Sequence, residues 1–202
     1  VSAKIKAGLP QSKQESSQLN AFLSAARQVA NTTRGFAPNQ APQEPKIQAA
    51  VKDLQQMLRA NEQAKAVVYS NYLDSGLNPY AEYLNKAHIP YGMVTGELNA
   101  AQKAQLVERY NNNEIKALLV SSAGGEGLDL KGTRMMQLLN PDWNQARSEQ
   151  VEGRGIRFMS HDHLPEDQRE VLIKRYIAQR PKTVFNELGL SSRGQAVDEY
   201  LT

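Results

Sequence analysis

Two arginines downstream of a glycine-rich segment are the residues whose types and spacing point most directly to chemistry. Arg154 and Arg157 stand three positions apart in the segment 150–157, which has the pattern Gln-x-x-Gly-Arg-x-x-Arg. On a helix, residues three apart share a face, so both guanidinium groups can reach one target. A guanidinium stays charged and can grip phosphate oxygens with two parallel hydrogen bonds. The pair therefore predicts an interaction with a transferring phosphoryl group, and a solvated basic helix face is the alternative.

The glycine-rich segment 121–130 supplies the second half of this candidate site. It follows an apolar run and contains Gly124, Gly125 and Gly127. Glycines let a backbone turn sharply and approach a ligand closely, and Asp129 can accept a hydrogen bond from a ribose hydroxyl. An ordinary strand-to-helix turn is the alternative, but the arginine pair that follows favours a nucleotide site.

The sequence has no loop that could cradle a triphosphate. No glycine is followed by lysine, so the pattern Gly-x-x-x-x-Gly-Lys-Ser/Thr cannot be written anywhere in it. The pair Asp198-Glu199 lacks an apolar strand before it. If the arginines act on ATP, the ATP and its Mg²⁺ must therefore be held mainly by another lobe that this chain lacks. His161 and His163 could share one face as metal ligands, but no further ligands accompany them at a convincing spacing, so no metal site is predicted.

Composition excludes several classes of function. The chain has 202 residues, of which 40% are hydrophobic and 22% charged, as is typical of a soluble domain of ordinary size. No apolar run is long enough to cross a membrane and no secretion signal precedes the chain, so we expect a cytoplasmic or nucleoid-associated protein without membrane partners. The absence of cysteine excludes disulfides and thiol catalysis. The net charge of +3 permits a nucleic-acid partner.

Short apolar runs alternate with helical patterns after residue 60 and predict a parallel sheet flanked by helices. Strands are predicted at 66–70, 91–95, 117–120, 135–139 and 171–177, and helices at 80–87 and 100–110, the latter capped by Asn99. Two further helical patterns, at 14–30 and from Ile47 to Leu58, flank a proline-rich segment at 32–45. The predicted fold class is α/β, with residues 1–60 as a helical extension and residues 61–202 as the main lobe.

Polar residues follow the predicted strands at the edge where ligands bind in such sheets. These strand-end pairs are Ser70-Asn71, Thr95-Gly96, Ser121-Ser122 and Asn140-Pro141. Trp143 stands in the polar loop after the last of them, where its ring could stack on a base. Topology alone thus predicts that these residues collect along one edge of the sheet.

With these residues in place, the chain resembles the second RecA-like lobe of a superfamily-two helicase of the Swi/Snf type. Residues 66–71 resemble motif IV, residues 91–98 motif IVa, residues 121–130 motif V and residues 150–157 motif VI. The segment 141–144 is similar to the Trp-Asn element that follows motif V in Swi/Snf proteins. Residues 157–165 resemble the corresponding stretch in helicases of large DNA viruses and phages.

The resemblance implies roles for individual residues. Arg154 and Arg157 would reach the γ-phosphate of ATP bound to the first lobe, and Gln150 would order them. The residues expected to border the nucleotide are Gly125, Gly127 and Asp129. The residues expected to contact the backbone of a nucleic-acid strand are Ser70, Asn71, Thr95, Gly96, Ser121 and Ser122. Trp143 is expected to bind nucleic acid by stacking on a base, and DNA is favoured over RNA as the partner.

The implied function is that of an ATP-hydrolysing translocase whose partners are nucleic acid and its own first lobe. We expect the chain to be a fragment of that protein and to be inactive by itself. One alternative is a RecA-like interaction domain without ATPase function. Another is a sugar-nucleotide-binding α/β domain, which can also place glycine-rich turns and arginines at strand ends.

Overall fold

The predicted helices and strands occur along the chain in the expected order. The computed structural model describes residues 13–37, 39–125, 128–140, 159–160 and 171–178. The helices are α1 (Lys13–Asn31), α2 (Pro45–Ala60), α3 (Asn78–Lys86) and α4 (Ala100–Asn111). The strands are β1 (Lys65–Ser70), β2 (Tyr91–Val94), β3 (Ala117–Ser121), β4 (Leu130–Lys131), β5 (Thr133–Leu138), β6 (Met159–Ser160) and β7 (Leu172–Arg175). A short π-helical turn, Leu73–Leu77, leads into α3.

Five of these strands form one parallel sheet in the order β2-β3-β1-β5-β7. The predicted parallel α/β sheet is therefore confirmed, and β1 lies at its centre. The short strands β4 and β6 pair with each other, also in parallel, outside the main sheet. The sequence did not predict this second pairing, because two residues are too few to produce a recognisable pattern.

Both faces of the sheet are buried at the central strands β1 and β3, which is why these two strands read as nearly continuous apolar runs. Alternate residues of β1 point to opposite faces: Ala66 and Val68 belong to one hydrophobic cluster, and Val67 belongs to the other. Helices α2 and α3 cover the first face, and α4 covers the second with Tyr110 and half-buried Leu106. The two layers of helices hold the sheet so that the ends of its strands remain available for a site.

Helix α2 packs into the core of this sheet. Its apolar residues at helical spacing, Ile47, Val51 and Leu54, are all buried, and Ile47 and Leu54 are fully so. Pro45 stands in the first turn, where its missing N–H has no helical partner to lose. The predicted boundary at residue 60 between an extension and the main lobe stays a prediction. None of the described helices is both long and apolar enough to cross a membrane.

A polar network lies within the hydrophobic cluster that contains Ala66 and Val68. It joins helices α2 and α3 to strand β5 and to Tyr176, the residue after β7. Gln137 is fully buried on β5; its Oε1 accepts from the Tyr80 hydroxyl at 2.7 Å, and its Nε2 donates to the carbonyl of Ala50 at 2.8 Å. The same Nε2 lies 3.0 Å from the hydroxyl of Tyr176, which donates to Asp53 at 2.7 Å. Burial raises the pKa of both tyrosines well above its usual range. The network satisfies polar groups that would otherwise weaken the core.

Candidate functional site

The carboxyl ends of neighbouring strands bring the predicted nucleic-acid residues to one edge of the sheet. Ser70 at the end of β1 stands in register with Ser121 at the end of β3, and Val94 at the end of β2 with Val120. Asn71, Ser122 and the Thr95-Gly96 pair follow directly after these strands. The predicted gathering along one edge therefore holds for these described residues, and their binding of nucleic acid stays a prediction. Ser122 and Gly96 are exposed, and Asn71 and Thr95 are half-buried.

The glycine-rich turn after β3 lies directly on the end of β2. The Gly124 amide donates to the carbonyl of Ser121 at 3.0 Å and to its hydroxyl at 3.2 Å, which closes the turn. A Cβ atom on Gly124 would stand only 2.4 Å from the carbonyl oxygen of Val94. A Cβ on Gly96 would stand 2.9 Å from Cβ of Ala123, so the two turns are in contact. Glycine is required here for close approach of two backbones, which brings predicted motifs IVa and V together.

A cluster of buried polar residues, Ser70, Asn140 and Asn31, lies beneath the surface at this edge. The Ser70 hydroxyl donates to Oδ1 of Asn140 at 2.6 Å and accepts from the Tyr72 amide at 3.1 Å. Asn31, the last residue of α1, donates to the same Oδ1 at 3.3 Å. Ser70, Asn140 and Asn31 are all buried. Sequence reasoning did not include Asn31 and Asn140 among the site residues, although Asn140 follows its strand just as Asn71 follows β1.

Two predicted serines are therefore engaged inside the protein. The hydroxyls of Ser70 and Ser121 are hydrogen-bonded to Asn140 and to the Gly124 amide, respectively, and both residues are buried. The Ser70 hydroxyl uses its proton on Asn140, so donating to a phosphate would require that bond to open. The Ser121 hydroxyl only accepts from the Gly124 amide, and its burial limits direct contact with a phosphate. The role of each serine in nucleic-acid binding stays a prediction.

The segment after the glycine-rich turn places Asp129 at the surface. Leu128 and Leu130 on either side of it are buried in the second hydrophobic cluster, so the alternation along the segment turns Asp129 outward. Its backbone carbonyl accepts a hydrogen bond from the side-chain Nδ2 of Asn111 at 2.9 Å. An exposed carboxylate on a segment with a fixed backbone fits the predicted contact with a ribose hydroxyl. Gly125, the other described residue predicted to border the nucleotide, is half-buried in the turn itself.

A buried lysine stands at the start of β1, at the opposite edge from these residues. Its ammonium donates to the carbonyl of Tyr110 at 2.8 Å and lies 4.6 Å from the centre of the Tyr110 ring. Burial, with a smaller contribution from the charge of Lys116, lowers the pKa of Lys65 to about 8. Because its bonds go to the last carbonyls of α4, we interpret Lys65 as a structural cap and not as part of the site.

The remaining predicted residues lie outside the described residues. These are the glycine and glutamine predicted to border or order the nucleotide, the two arginines and the tryptophan, namely Gly127, Gln150, Arg154, Arg157 and Trp143. The histidines considered as metal ligands, His161 and His163, lie outside as well. In the part of the chain that the structure describes, no three histidine, aspartate or glutamate side chains are grouped so that they could hold a metal ion.

Comparisons with known proteins identify the family of this chain and several of its relatives. The family described as the helicase conserved C-terminal domain matches residues 49–159. A protein of Acanthamoeba polyphaga mimivirus, named as an ATP-dependent RNA helicase, is 36% identical over 187 residues, which are 93% of this chain and 38% of that protein. The DNA repair and recombination protein RAD54-like of Danio rerio is 34% identical over 101 residues, 48% of this chain and 14% of that protein. The chain thus spans well under half the length of these relatives.

A solved structure shares the fold. The crystal structure of the C-terminal part of the Fun30 ATPase domain superposes with a TM-score of 0.53 and 19% identity, covering 70% of this chain and 47% of that one. At this level of identity the likeness concerns the fold alone, and it confirms the predicted RecA-like α/β architecture.

Proposed function

The chain belongs to the helicase conserved C-terminal domain family, and from this premise we propose that it is the second RecA-like lobe of an ATP-dependent nucleic-acid translocase. The observation that carries the proposal is the extent of the family match. It runs from α2 through the glycine-rich turn and the arginine segment to β6, so it includes both candidate motifs in their expected order. The similarity to helicase relatives supports an enzyme of this kind.

The described residues could contact one side of a bound nucleotide, but they do not form a loop that holds its triphosphate. Asp129 presents an exposed carboxylate, and the glycine-rich turn brings backbone close to the strand ends. When bound, ATP supplies the phosphoryl group and Mg²⁺ neutralises charge on it. In the proposal the first lobe holds both of them, and Arg154 and Arg157 of this chain stabilise negative charge that develops on the γ-phosphate. Gln150 orders these arginines.

The nucleic-acid strand in this proposal runs along the carboxyl edge of β2, β3 and β1. Exposed Ser122 and the backbone of Gly96 are the groups best placed to donate hydrogen bonds to phosphates, with half-buried Thr95 and Asn71 beside them. Backbone contacts of this type carry little sequence information, so movement would be largely independent of sequence. Closure and opening of the two lobes during ATP turnover would shift this grip along the strand.

The test is nucleic-acid-stimulated ATP hydrolysis by the full-length parent and by its Arg157→Ala form. A residue that stabilises transition-state charge is worth about 10³-fold or more in kcat, so we expect a loss of that size while nucleotide binding persists. Arg109→Ala is the matched control, because Arg109 is exposed and its side chain forms a surface ion pair with Glu114, whose loss costs under about 1 kcal/mol.

Two other results would change the assignment. If Arg157→Ala hydrolyses ATP as well as Arg109→Ala does, the arginine is a surface residue and the site is wrong. A parent without any ATPase activity would instead favour the non-enzymatic interaction domain. Since one relative is named as an RNA helicase and another as a DNA repair protein, the assay should use both DNA and RNA; our proposal expects the larger stimulation from DNA.

A further inference from the structure

The side chain of Asn111 binds the backbone on one edge of β4. Its Nδ2 donates to the carbonyl of Asp129 at 2.9 Å, and its Oδ1 accepts from the amide of Lys131 at 2.8 Å. In an extended strand, the carbonyl of one residue and the amide of the second residue after it point to the same side. The Asn111 amide group therefore occupies the place that a neighbouring strand would take.

The opposite edge of β4 holds the strand that follows the arginine segment. Leu130 pairs with Met159 and Lys131 with Ser160 in the parallel β4–β6 ladder. Met159 is two positions after Arg157 in the sequence. Strand β4 is thus hydrogen-bonded to Asn111 on one side and paired with β6 on the other. A two-residue strand is too short to keep its position by pairing alone.

Asn111 is itself held on a rigid element. It is the last residue of α4, whose first turn is closed by a capping box between Asn99 and Gln102. At the other end of the helix, the buried hydroxyl of Tyr110 lies 2.7 Å from the hydroxyl of Thr133 at the start of β5. The ammonium of Lys65 donates to the carbonyls of Tyr110 and Asn111 at 2.8 and 3.4 Å. The end of α4 is therefore a firm anchor for the segment 129–131.

From this geometry we infer that Asn111 is a positioning residue for the ATP site. It sets the backbone that carries Asp129 and, through β4, the position of β6, the strand that follows the arginine segment in the sequence. The inference rests on the proposed function, since a position matters to turnover only if these residues act on ATP. Asn111 lies in the sequence between the segments that resemble motifs IVa and V and belongs to neither of them.

The experiment compares Asn111→Ala with Asn112→Ala in the full-length parent. Asn112 is the next residue, is exposed, and its side chain makes no hydrogen bond within the described residues. Displacing reacting groups by about 1 Å can cost on the order of 10²-fold, so we expect kcat/KM for ATP to fall about 10- to 100-fold in Asn111→Ala. Asn112→Ala should keep the parent's values. Hydrogen exchange at the Lys131 amide should become faster in Asn111→Ala alone.

A double-mutant cycle separates positioning from a general loss of stability. If Asn111 acts partly through the carboxylate of Asp129, the KM effects of Asn111→Ala and Asp129→Ala should be less than additive, because both disturb one contact. Fully additive effects on KM and on kcat, accompanied by a lower melting temperature, would indicate a merely structural residue and overturn the inference. Asn111→Asp, which retains only the acceptor, should not restore the parent's activity.

The outcomes also distinguish this inference from the proposed function. A parent that hydrolyses ATP and loses activity in Arg157→Ala, but in which Asn111→Ala behaves like Asn112→Ala, refutes only the role of Asn111. A parent without ATPase activity refutes the proposed function and, with it, the role given to Asn111.

Discussion

Replacing Gly124 by alanine should disturb the contact between the glycine-rich turn and strand β2. The added Cβ would stand 2.4 Å from the carbonyl oxygen of Val94, 2.8 Å from its carbonyl carbon and 3.1 Å from the carbonyl carbon of Thr95. All three neighbours are backbone atoms at the end of strand β2, so no side chain can rotate away. The turn itself must move, by at least about 0.6 Å, before the shortest contact becomes tolerable in a close-packed interior.

The expected cost follows from this crowding. Overpacking of a filled site usually costs about 1–3 kcal/mol, and we expect Gly124→Ala to lie near the upper end because the obstacle is main chain. Gly125→Ala is the matched control in the same turn: its Cβ would meet a methyl group of Val120 at 3.2 Å, which a side chain can accommodate by a small shift. The control should change the free energy of unfolding by less than about 1 kcal/mol.

Urea denaturation of the two variants and the unchanged chain measures both effects. Gly124→Ala should lower the denaturation midpoint without altering the slope, because the surface exposed on unfolding stays the same. Extrapolated free energies of unfolding carry errors of about 0.5 kcal/mol. If Gly124→Ala and Gly125→Ala are equally stable within that error, the predicted clash with β2 does not occur. In that case the turn would not rest on β2 as the structure has it.

Two further predictions concern buried polar groups. Gln137→Leu should lower the free energy of unfolding by about 2–4 kcal/mol in urea titrations, because it leaves the buried Tyr80 hydroxyl without its acceptor; adding Tyr80→Phe should recover part of this loss, and no recovery would contradict the network. The pKa of Lys65 is about 8 in the folded protein, whereas the ordinary value of 10.5 applies to the exposed side chain of the unfolded protein. Between these values the unfolded chain binds more protons, so stability should rise as the pH increases from 8 towards 9.5. In Lys65→Met this rise should disappear; an identical pH profile in both forms would exclude Lys65 as its source.

Much of the local structure could be predicted from the sequence because its causes are local. The run Ala117 to Val120 is apolar throughout and forms the buried strand β3. Asn99 was predicted to cap a helix, and its side chain accepts from the amide of Gln102 at 2.9 Å. Such signals need only a few consecutive residues, so they can be recognised without knowledge of the rest of the fold.

The partners of individual site residues could not be predicted in the same way. Ser70 was predicted to face a nucleic-acid strand, but its hydroxyl donates to Asn140, which is 70 positions away. Gly124 was expected to turn the chain near a ligand, and the structure adds that it leaves room for the carbonyl of Val94. The arginines Arg154 and Arg157 lie outside the described residues, so their placement stays a prediction.

By itself the sequence determined the alternation of elements, the strand ends at which polar residues gather and the order of the candidate motifs. Periodicity and capping are properties of short stretches of chain, and motif order is a property of the sequence itself. Only the tertiary structure decided which distant groups meet: Gln137 with Ala50 across the core, and Asn111 with the backbone around Asp129. Such contacts depend on the strand order and on how the helices pack, which no local pattern contains.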